Sequence, residues 1–313
     1  MERKIIFFID KYNNLIDLNS NDYGDEIKWS SSLKSSFKKR KKLIFDKSKI
    51  IQSSIRPYIK MYYYSDKLMS DRLTGNHYKM FTNTLHANNK VICINNRGSD
   101  FRVLACSNIF DLHYTGDTNS FSLYNYSVNG DKVENISDWG LNKFNKHYKR
   151  NDISKEEIFY YVYSVFHNKK YIIKYESNLK REFPRIPLYK DFDKWSILGK
   201  ELLDLHLDYD TTIEFPLKHI SNNSKQDPKV KLKCDKIKGQ IHLDENTTLD
   251  GIPDIAWEYK IGNRSALEWV LDQYKEKKPN DKTLIKYFDD YKFANHRDEV
   301  ISLLKKICTV SIE

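Results

Sequence analysis

Residues 154–188 read SKEEIFYYVYSVFHNKKYIIKYESNLKREFPRIPL, and this stretch indicates the class of the fold. Ser154 and Glu157 have the spacing of a capping box, in which each side chain bonds a backbone amide at the start of a helix. The aromatic and apolar run that follows is typical of a buried helix, and a second helix is predicted to end at Pro184. We therefore predict that residues 136–208 are mainly helical.

Helical periodicity continues in residues 191–209, and strand and helix patterns alternate beyond them. The segment KVKLKCDKIKGQIHL (229–243) alternates with period two, as strands with one charged face do. Ser265 and Glu268 form a second capping box, and the last helix is predicted over residues 296–308. The helix at 191–209 is predicted to place one stripe in the core, consisting of Trp195, Leu198, Leu202 and Leu205.

Strand patterns dominate the N-terminal side. Residues 91–96 and 101–107 are predicted to form two strands around Gly98. Residues 55–64 are predicted to form another strand, with Pro57 at its start or on a sheet edge because proline lacks a donor for the ladder. The prediction is a mixed α+β fold with a connecting helix in residues 1–26, a β-rich basic part (27–135), a helical part (136–209) and a C-terminal part of strands and helices (210–313).

The positive charge is concentrated in one region. The chain has 313 residues and a net charge of +10, but residues 27–110 alone hold 17 Lys/Arg and four Asp/Glu. An AT-rich genome would raise lysine content everywhere and does not predict such a block. A local basic field favours a polyanion partner, above all nucleic acid. The alternative is a solvated basic face without a ligand.

Several protein classes are disfavoured by composition. No apolar stretch approaches the ~18 residues of a membrane helix, and the apolar run at Ile5–Ile9 is too short for a signal peptide. The four cysteines form no C-x-x-C pair, so we expect buried thiols, no zinc or other metal site and a cytoplasmic location. Walker, G-x-G-x-x-G, G-x-S-x-G and amino-methyltransferase motifs are absent, so no catalytic residue and no cofactor is assigned.

One pattern imitates a metal-dependent nuclease. Pro253-Asp254 is followed by Glu258 and Lys260, as in a P-D…E-x-K motif. Only three residues separate the two carboxylates, which on one strand would lie ~13 Å apart, too far to share a metal. On a helix the two carboxylates could converge, but Pro253 and the aromatic-rich run favour extended structure, so a strand entering a turn is the preferred interpretation.

The candidate DNA contacts are basic side chains. Leu33 and Phe37 are four residues apart, so a short helix is predicted to anchor the densest basic run, although a solvated surface helix is the alternative. Arg264 beside the second capping box suggests an anion site, with a structural cap as the alternative. The predicted phosphate contacts are Lys34, Lys38, Lys39, Arg40, Lys41, Lys42 and Arg264.

Arginines outside the dense run are the candidates for base or groove contacts, since an arginine fork bonds both O6 and N7 of guanine. Arg56 precedes a proline at a strand start, so a structural ion pair is its alternative role. The candidates are Arg56, Arg72, Arg97 and Arg102.

Six segments together resemble the C-terminal specificity region of Type ISP restriction–modification enzymes. They are IKWSSSLK, IRPYIKMYYYSD, FDLHYTGD, the stretch at 154–188, ELLDLHLDY and NRSALEWVLDQY, in this order. The resemblance covers about residues 25–313 and is most specific over 154–209 and 253–276. Residues 1–24 resemble, more weakly, the segment that links a methyltransferase domain to the recognition domain.

The resemblance implies a function. Enzymes of that family join nuclease, ATP-driven helicase, adenine methyltransferase and target recognition domains in one polypeptide. The corresponding region reads a short asymmetric sequence in double-stranded DNA and directs methylation or cleavage. The catalytic motifs belong upstream, so S-adenosylmethionine, ATP and Mg²⁺ are expected only for those domains. The chain is then either an excised fragment or the product of a truncated gene.

The leading hypothesis is a sequence-specific DNA-binding module with no activity of its own, whose partners are DNA and the methyltransferase and helicase domains. A second hypothesis is a scaffold that docks a methyltransferase and binds DNA only with it, which the amphipathic helix predicted at residues 3–18, in the acidic region 1–26, favours. A third is a cryptic nuclease that uses Asp254, Glu258 and Lys260.

Overall fold

Two helices lie near the start of the chain. Helix α1 spans Glu2–Asn13 and helix α2 spans Ser31–Lys38, where Ser30 caps the first turn. Leu33 is buried and Phe37 half-buried, which confirms the predicted anchor. The computed structural model describes residues 1–15, 27, 29–70, 73–95, 100–222, 226–277, 282–288 and 291–313, so the end of the helix predicted at 3–18 and Gly98 lie outside the described residues.

A β-hairpin replaces the single strand predicted at residues 55–64. Strands β1 (Ile50–Arg56) and β2 (Ile59–Tyr64) pair antiparallel, and Pro57 lies in the connection between them. Tyr58 follows with a φ of +60°. A type II turn has proline at its second position and a residue with positive φ at its third, as found here. Pro57 therefore lies in the turn of the hairpin, and not at the start of a strand or on a sheet edge.

The next sheet separates two cores. Helix α3 (Gly75–Phe81) precedes strands β3 (Val91–Asn95), β4 (Arg102–Cys106) and β5 (Asn119–Ser122), which form a sheet in the order β4-β3-β5. The two predicted strands are therefore confirmed. Every residue of β3 is buried because alternate side chains enter different cores, such as Cys93 in one and Ile94 in the other.

The central part is helical, as predicted. The small hairpin of β6 (Tyr124–Tyr126) and β7 (Lys132–Glu134) leads into it. The capping box of Ser154 and Glu157 is present. The helix predicted to end at Pro184 is instead two short helices, the second of which ends at Leu179. The helices are α4 (Asp138–Tyr148), α5 (Lys155–His167), α6 (Lys169–Lys174), α7 (Glu176–Leu179) and α8 (Phe192–Leu207).

The predicted core stripe of α8 is only partly present: Trp195, Leu202 and Leu205 are partly buried and pack against the cores, but the fourth residue does not. Leu198, a predicted core residue, is 47% exposed. Gly199 turns towards α5 instead, and a Cβ at this position would lie 1.9 Å from the carbonyl oxygen of Tyr160. The glycine allows the two backbones to approach closely, and this contact sets the rotation of the helix. The buried residues of α8 are Phe192, Ser196, Gly199, Leu203 and His206.

The C-terminal part contains strands and helices, as predicted. Strands β8 (Lys218–Ser221), β9 (Val230–Asp235), β10 (Gln240–Asp244) and β11 (Thr247–Asp250) form an antiparallel sheet in the order β8-β11-β10-β9. Helix α9 (Asp254–Glu258) follows. The strand predicted there is wrong, because Pro253 forms the N-cap and its fixed φ suits a helix start.

A hairpin and three helices end the described chain. The second capping box, at Ser265 and Glu268, is present. The last helix continues four residues past its predicted end at residue 308. The elements are β12 (Lys260–Ile261), β13 (Arg264–Ser265), α10 (Ala266–Gln273), α11 (Lys282–Phe288) and α12 (Arg297–Ile312).

The cores join segments that are distant in sequence. The largest core combines Ile51 of the first hairpin with Leu249 of the C-terminal sheet and Leu304 of α12, so it crosses both boundaries drawn at 135/136 and 209/210. A second core lies among the central helices, and a third holds α1 and α2 against Tyr64. In the described parts of the chain, no helix is long and apolar enough to cross a membrane.

Candidate nucleic-acid interface

The last residue of α2 and the four residues after it form an exposed basic segment, which we define as residues 38–42. Its backbone is fixed to α1, since the Tyr12 hydroxyl donates to the carbonyl of Lys41 at 3.0 Å. Asn13 exchanges two hydrogen bonds with the backbone of Leu43, at 2.8 and 3.0 Å. These contacts hold the backbone while the side chains project outward.

Five cations occupy the basic segment. All are exposed, and no ion pair joins any of them to another described residue. Lys34 lies one turn earlier on α2 and is partly buried. Unpaired cations on a fixed backbone suit phosphate contacts, because binding would cost no existing ion pair. The five are Lys38, Lys39, Arg40, Lys41 and Lys42.

Arg56 ends β1 beside the hairpin turn. Its Nη1 donates to the Asp111 carboxylate at 2.8 Å and to the carbonyl oxygen of Ile55. The same carboxylate oxygen accepts from the backbone N–H of His113 at 2.8 Å. The predicted alternative, an ion pair, is therefore present, but it holds one corner of the guanidinium and leaves Nε and Nη2 without a hydrogen bond to any described residue.

Arg102 and Arg264 flank one tryptophan. Their guanidinium carbons lie 5.9 and 5.3 Å from the ring centre of Trp269. The Nε of Arg102 is buried without a hydrogen-bond partner among the described residues, and it packs where a Cβ on Gly262 would lie 2.3 Å away. Arg102 thus contributes packing here, and the structure brings together a predicted base contact and a predicted phosphate contact.

The N-terminus of α10 is already capped. Glu268 accepts hydrogen bonds from the backbone N–H of Ser265 at 2.9 Å and from its hydroxyl at 2.8 Å. The structural-cap alternative is therefore confirmed, because a carboxylate of the chain occupies the predicted anion site. Arg264 remains partly exposed and pairs with Asp272 at 3.5 Å. The other two candidate arginines, Arg72 and Arg97, lie outside the described residues.

A groove of about 760 Å³, lined by apolar and polar side chains, lies between the first hairpin, α3, the loop at 109–113 and β5. Its floor is apolar and includes Ile55, Met80 and Phe110. Sequence reasoning missed this site, since its side chains share no period. The only signal is the density of turn-forming and amide residues around residues 74–77 and 113–120. Polar groups along the groove are Asn76, His77, Asp111, His113, Asn119 and Ser120.

The nuclease-like residues form no metal cluster. Asp254 and Glu258 are four apart on α9, so they lie on one face, but Glu258 pairs with Lys169 at 3.5 Å. Across the described ranges, no group of three or more His, Cys, Asp or Glu side chains is placed to hold a metal ion. All four cysteines are free thiols, three of them buried and Cys234 partly buried.

Comparison with protein families identifies the chain. A family model described as the Type ISP C-terminal specificity domain matches residues 1–303. The chain belongs to this family. None of the curated proteins matches this specificity domain.

Three solved structures share its fold. The cryoEM structure of the DrdV–DNA complex matches with a TM-score of 0.93 and 35% identity. The ATP-dependent Type ISP enzyme LlaBIII bound to DNA gives 0.82 and 27%, and a nuclease-deletion mutant of the Type ISP enzyme LlaGI with a DNA substrate mimic gives 0.77 and 27%. Each match covers 99% of the specificity domain, which spans 32%, 21% and 30% of those chains, respectively.

Proposed function

We propose that this specificity domain binds double-stranded DNA and recognises a short sequence in it on behalf of a larger restriction–modification enzyme. The observation that carries the proposal is the likeness, over 99% of the chain, to three proteins whose structures contain DNA or a DNA mimic. The family itself is a specificity domain by description. Such a domain would act in the cytoplasm, together with the genome.

The exposed charges support separate roles in DNA binding for the basic segment and for the arginines outside it. The basic segment has a fixed backbone and five exposed cations that form no ion pair with any described residue, so it would contact phosphates and fix the position of the duplex. Each phosphate contact releases counterions, so this part of the affinity would fall with added salt. Arg56, which has two nitrogens without a hydrogen bond to a described residue, would contact bases in a groove of the DNA. Arg102 is the weaker candidate for such a contact because its side chain is packed inside the protein.

No catalytic step is assigned to this chain. We propose that methylation and cleavage are carried out by other domains of the longer polypeptide and are directed by the sequence that this domain reads. S-adenosylmethionine, ATP and Mg²⁺ would serve those domains. The methyltransferase and helicase domains would be the protein partners, bound to the same duplex.

Selection from a random library of duplex DNA, at two salt concentrations and followed by sequencing, tests the proposal. We expect a short enriched motif that survives at the higher salt concentration. Retention of DNA without enrichment, lost at the higher concentration, would contradict sequence recognition and would favour a scaffold that needs its partner domains.

A further inference from the structure

The groove is lined by a histidine whose tautomer is fixed by the fold. His77 lies on α3, and its Nδ1 accepts from the backbone N–H of Thr74 at 3.1 Å and lies 3.0 Å from the Thr74 hydroxyl. Because Nδ1 is an acceptor for a backbone amide, a neutral imidazole must carry its proton on Nε2. The capping contact therefore selects the tautomer.

Burial keeps this imidazole neutral. It lowers the pKa of His77 below its usual value, so the ring carries one proton at neutral pH. The ring packs 6.1 Å from the ring centre of Phe110, which belongs to the groove floor. Among the described residues, Nε2 has no hydrogen-bond partner, so its N–H is available to a ligand.

Two more groups have unused donors: Asn76 lines the same groove, and Arg56, which does not line it, contacts two residues that do. Asn76 is exposed, and its amide makes no hydrogen bond to a described residue. Arg56 is fixed by two groove-lining groups, the Asp111 carboxylate and the Ile55 carbonyl, and keeps Nε and Nη2 available. A pre-positioned donor loses little side-chain entropy on binding.

We infer that this groove is where the domain reads base edges, and that His77 is a specificity-determining residue that donates from Nε2 to a base acceptor. The inference rests on the proposed function. Guanine O6 and N7, adenine N7 and thymine O4 are such acceptors in the major groove. The apolar floor would exclude water, which would make a mismatched, unpaired donor costly.

The test is the duplex selection run in parallel on the unmodified chain and on three variants. His77→Gln keeps an acceptor for the capping box, which takes glutamine at this position, but moves the donor. Asn76→Ala changes an exposed side chain without hydrogen bonds and cannot disturb the core. His219→Gln, an exposed histidine on β8 outside the groove, is the matched control. Affinity for a random duplex is measured for each.

We expect His77→Gln to lose base preference at one position of the motif, by roughly tenfold, while its affinity for random duplex stays within about twofold. Asn76→Ala should weaken preference at the same or an adjacent position, and the control should select the unmodified motif.

Two results would overturn the inference. One is an unchanged motif in both groove variants, and the other is an equal loss of affinity for all sequences, which would indicate a purely structural role. In both cases the unmodified chain still selects a motif, so the proposed function stands. If the unmodified chain selects none, the proposed function itself has failed.

Discussion

At the scale of single residues, a buried hydrogen-bonded network connects the hairpin turn to the helices. The Tyr58 hydroxyl lies 2.7 Å from that of Tyr259, which lies 3.1 Å from Nε2 of His206. On the other side of the ring, Nδ1 of His206 lies 2.6 Å from the Tyr163 hydroxyl. Tyr58 is two residues from Arg56, so this network helps to hold the turn that presents the arginine.

The free energy of unfolding should decrease at mildly acidic pH, because two buried histidines have lowered pKa values. Burial, with a contribution from His167, lowers the pKa of His206 well below its usual value, and burial lowers that of His167 to about 3. Unfolded histidine titrates near pH 6.5, so below that pH the unfolded state binds protons that the folded state does not. Stability is undiminished above about pH 6.5 and decreases below it, by up to about 1.4 kcal/mol per pH unit for each histidine.

Urea unfolding between pH 7.5 and pH 5 measures this decrease, because carboxylates such as Asp272, whose pKa is lowered by its lysine neighbours, act only below about pH 4. The dependence on pH should be smaller in His206→Gln, whose amide can retain hydrogen bonds to the tyrosines. Equal slopes in the variant and the unmodified chain would show that His206 does not titrate as described.

Asp111 should affect specificity through Arg56. Asp111→Asn removes the charge that fixes Nη1 of Arg56, so the guanidinium can leave its position beside residue 111, which lines the groove. We expect the ratio of affinities for motif-bearing and random duplexes to fall by roughly threefold to tenfold, as for a weakened base contact. Asp254→Asn removes an exposed carboxylate on α9, outside the groove, and serves as the control. An unchanged ratio in Asp111→Asn would mean that this pair is only structural.

At the scale of elements, the contact between α5 and α8 depends on a glycine. A Cβ on Gly199 would lie 1.9 Å from the carbonyl oxygen of Tyr160. This clash is with a backbone atom, so no side-chain rotation can relieve it. We expect Gly199→Ala to reduce the free energy of unfolding by about 3 kcal/mol, the upper end for overpacking.

The matched control is Gly140→Ala on α4, where the nearest atom to the new Cβ would be 3.5 Å away. This substitution should be neutral or should stabilise by up to about 1 kcal/mol, because alanine favours the helix. Urea unfolding of both variants compares them. Equal stability of the two would contradict the close approach of the helices.

The basic segment should contribute to affinity without affecting specificity. Lys39→Gln with Lys41→Gln removes two exposed cations, so the slope of log affinity against log salt should decrease by about two for every duplex. Lys190→Gln with Lys194→Gln removes the same charge next to α8 and is expected to change little. The measurement is the affinity of both double variants and of the unmodified chain for duplex DNA between 50 and 200 mM salt. A change in the selected motif would show that the segment reads bases.

Local signals in the sequence predicted the elements that local chemistry controls. The capping boxes at Ser154 and Ser265 gave the starts of α5 and α10, because the hydrogen bonds that define them lie within one turn. The features that sequence reasoning missed depend on distant contacts. The rotation of α8 follows from Gly199 meeting α5, and the helix at Asp254–Glu258 replaced a predicted strand because it packs against α12 and the last hairpin.

The candidate site divides in the same way. The basic segment was visible because its charges are contiguous in sequence. The groove was not, because His77 of α3 and Asp111 of a loop line it together only through tertiary packing, which also places Arg56 of the first hairpin beside Asp111. Arg102 was assigned from residue type alone, and its contact with Gly262 is a tertiary feature.

At the scale of the whole molecule, one body presents the basic segment and the groove. Strand β3 contributes to two cores, and the largest core extends from the first hairpin to α12. The groove walls are therefore backed by residues from both ends of the chain. This organisation suits a reading surface, because fixed donors discriminate between bases better than mobile ones.

A structure of the domain bound to a duplex that carries its selected motif tests the central claim most directly. The measurement is the set of distances from groove nitrogens to base atoms. We predict a base acceptor within about 2.7–3.2 Å of Nε2 of His77 and a second base edge at the free side of Arg56. Base contacts made by another surface, such as the sheet of β8 to β11, with the groove away from the DNA, would contradict the account.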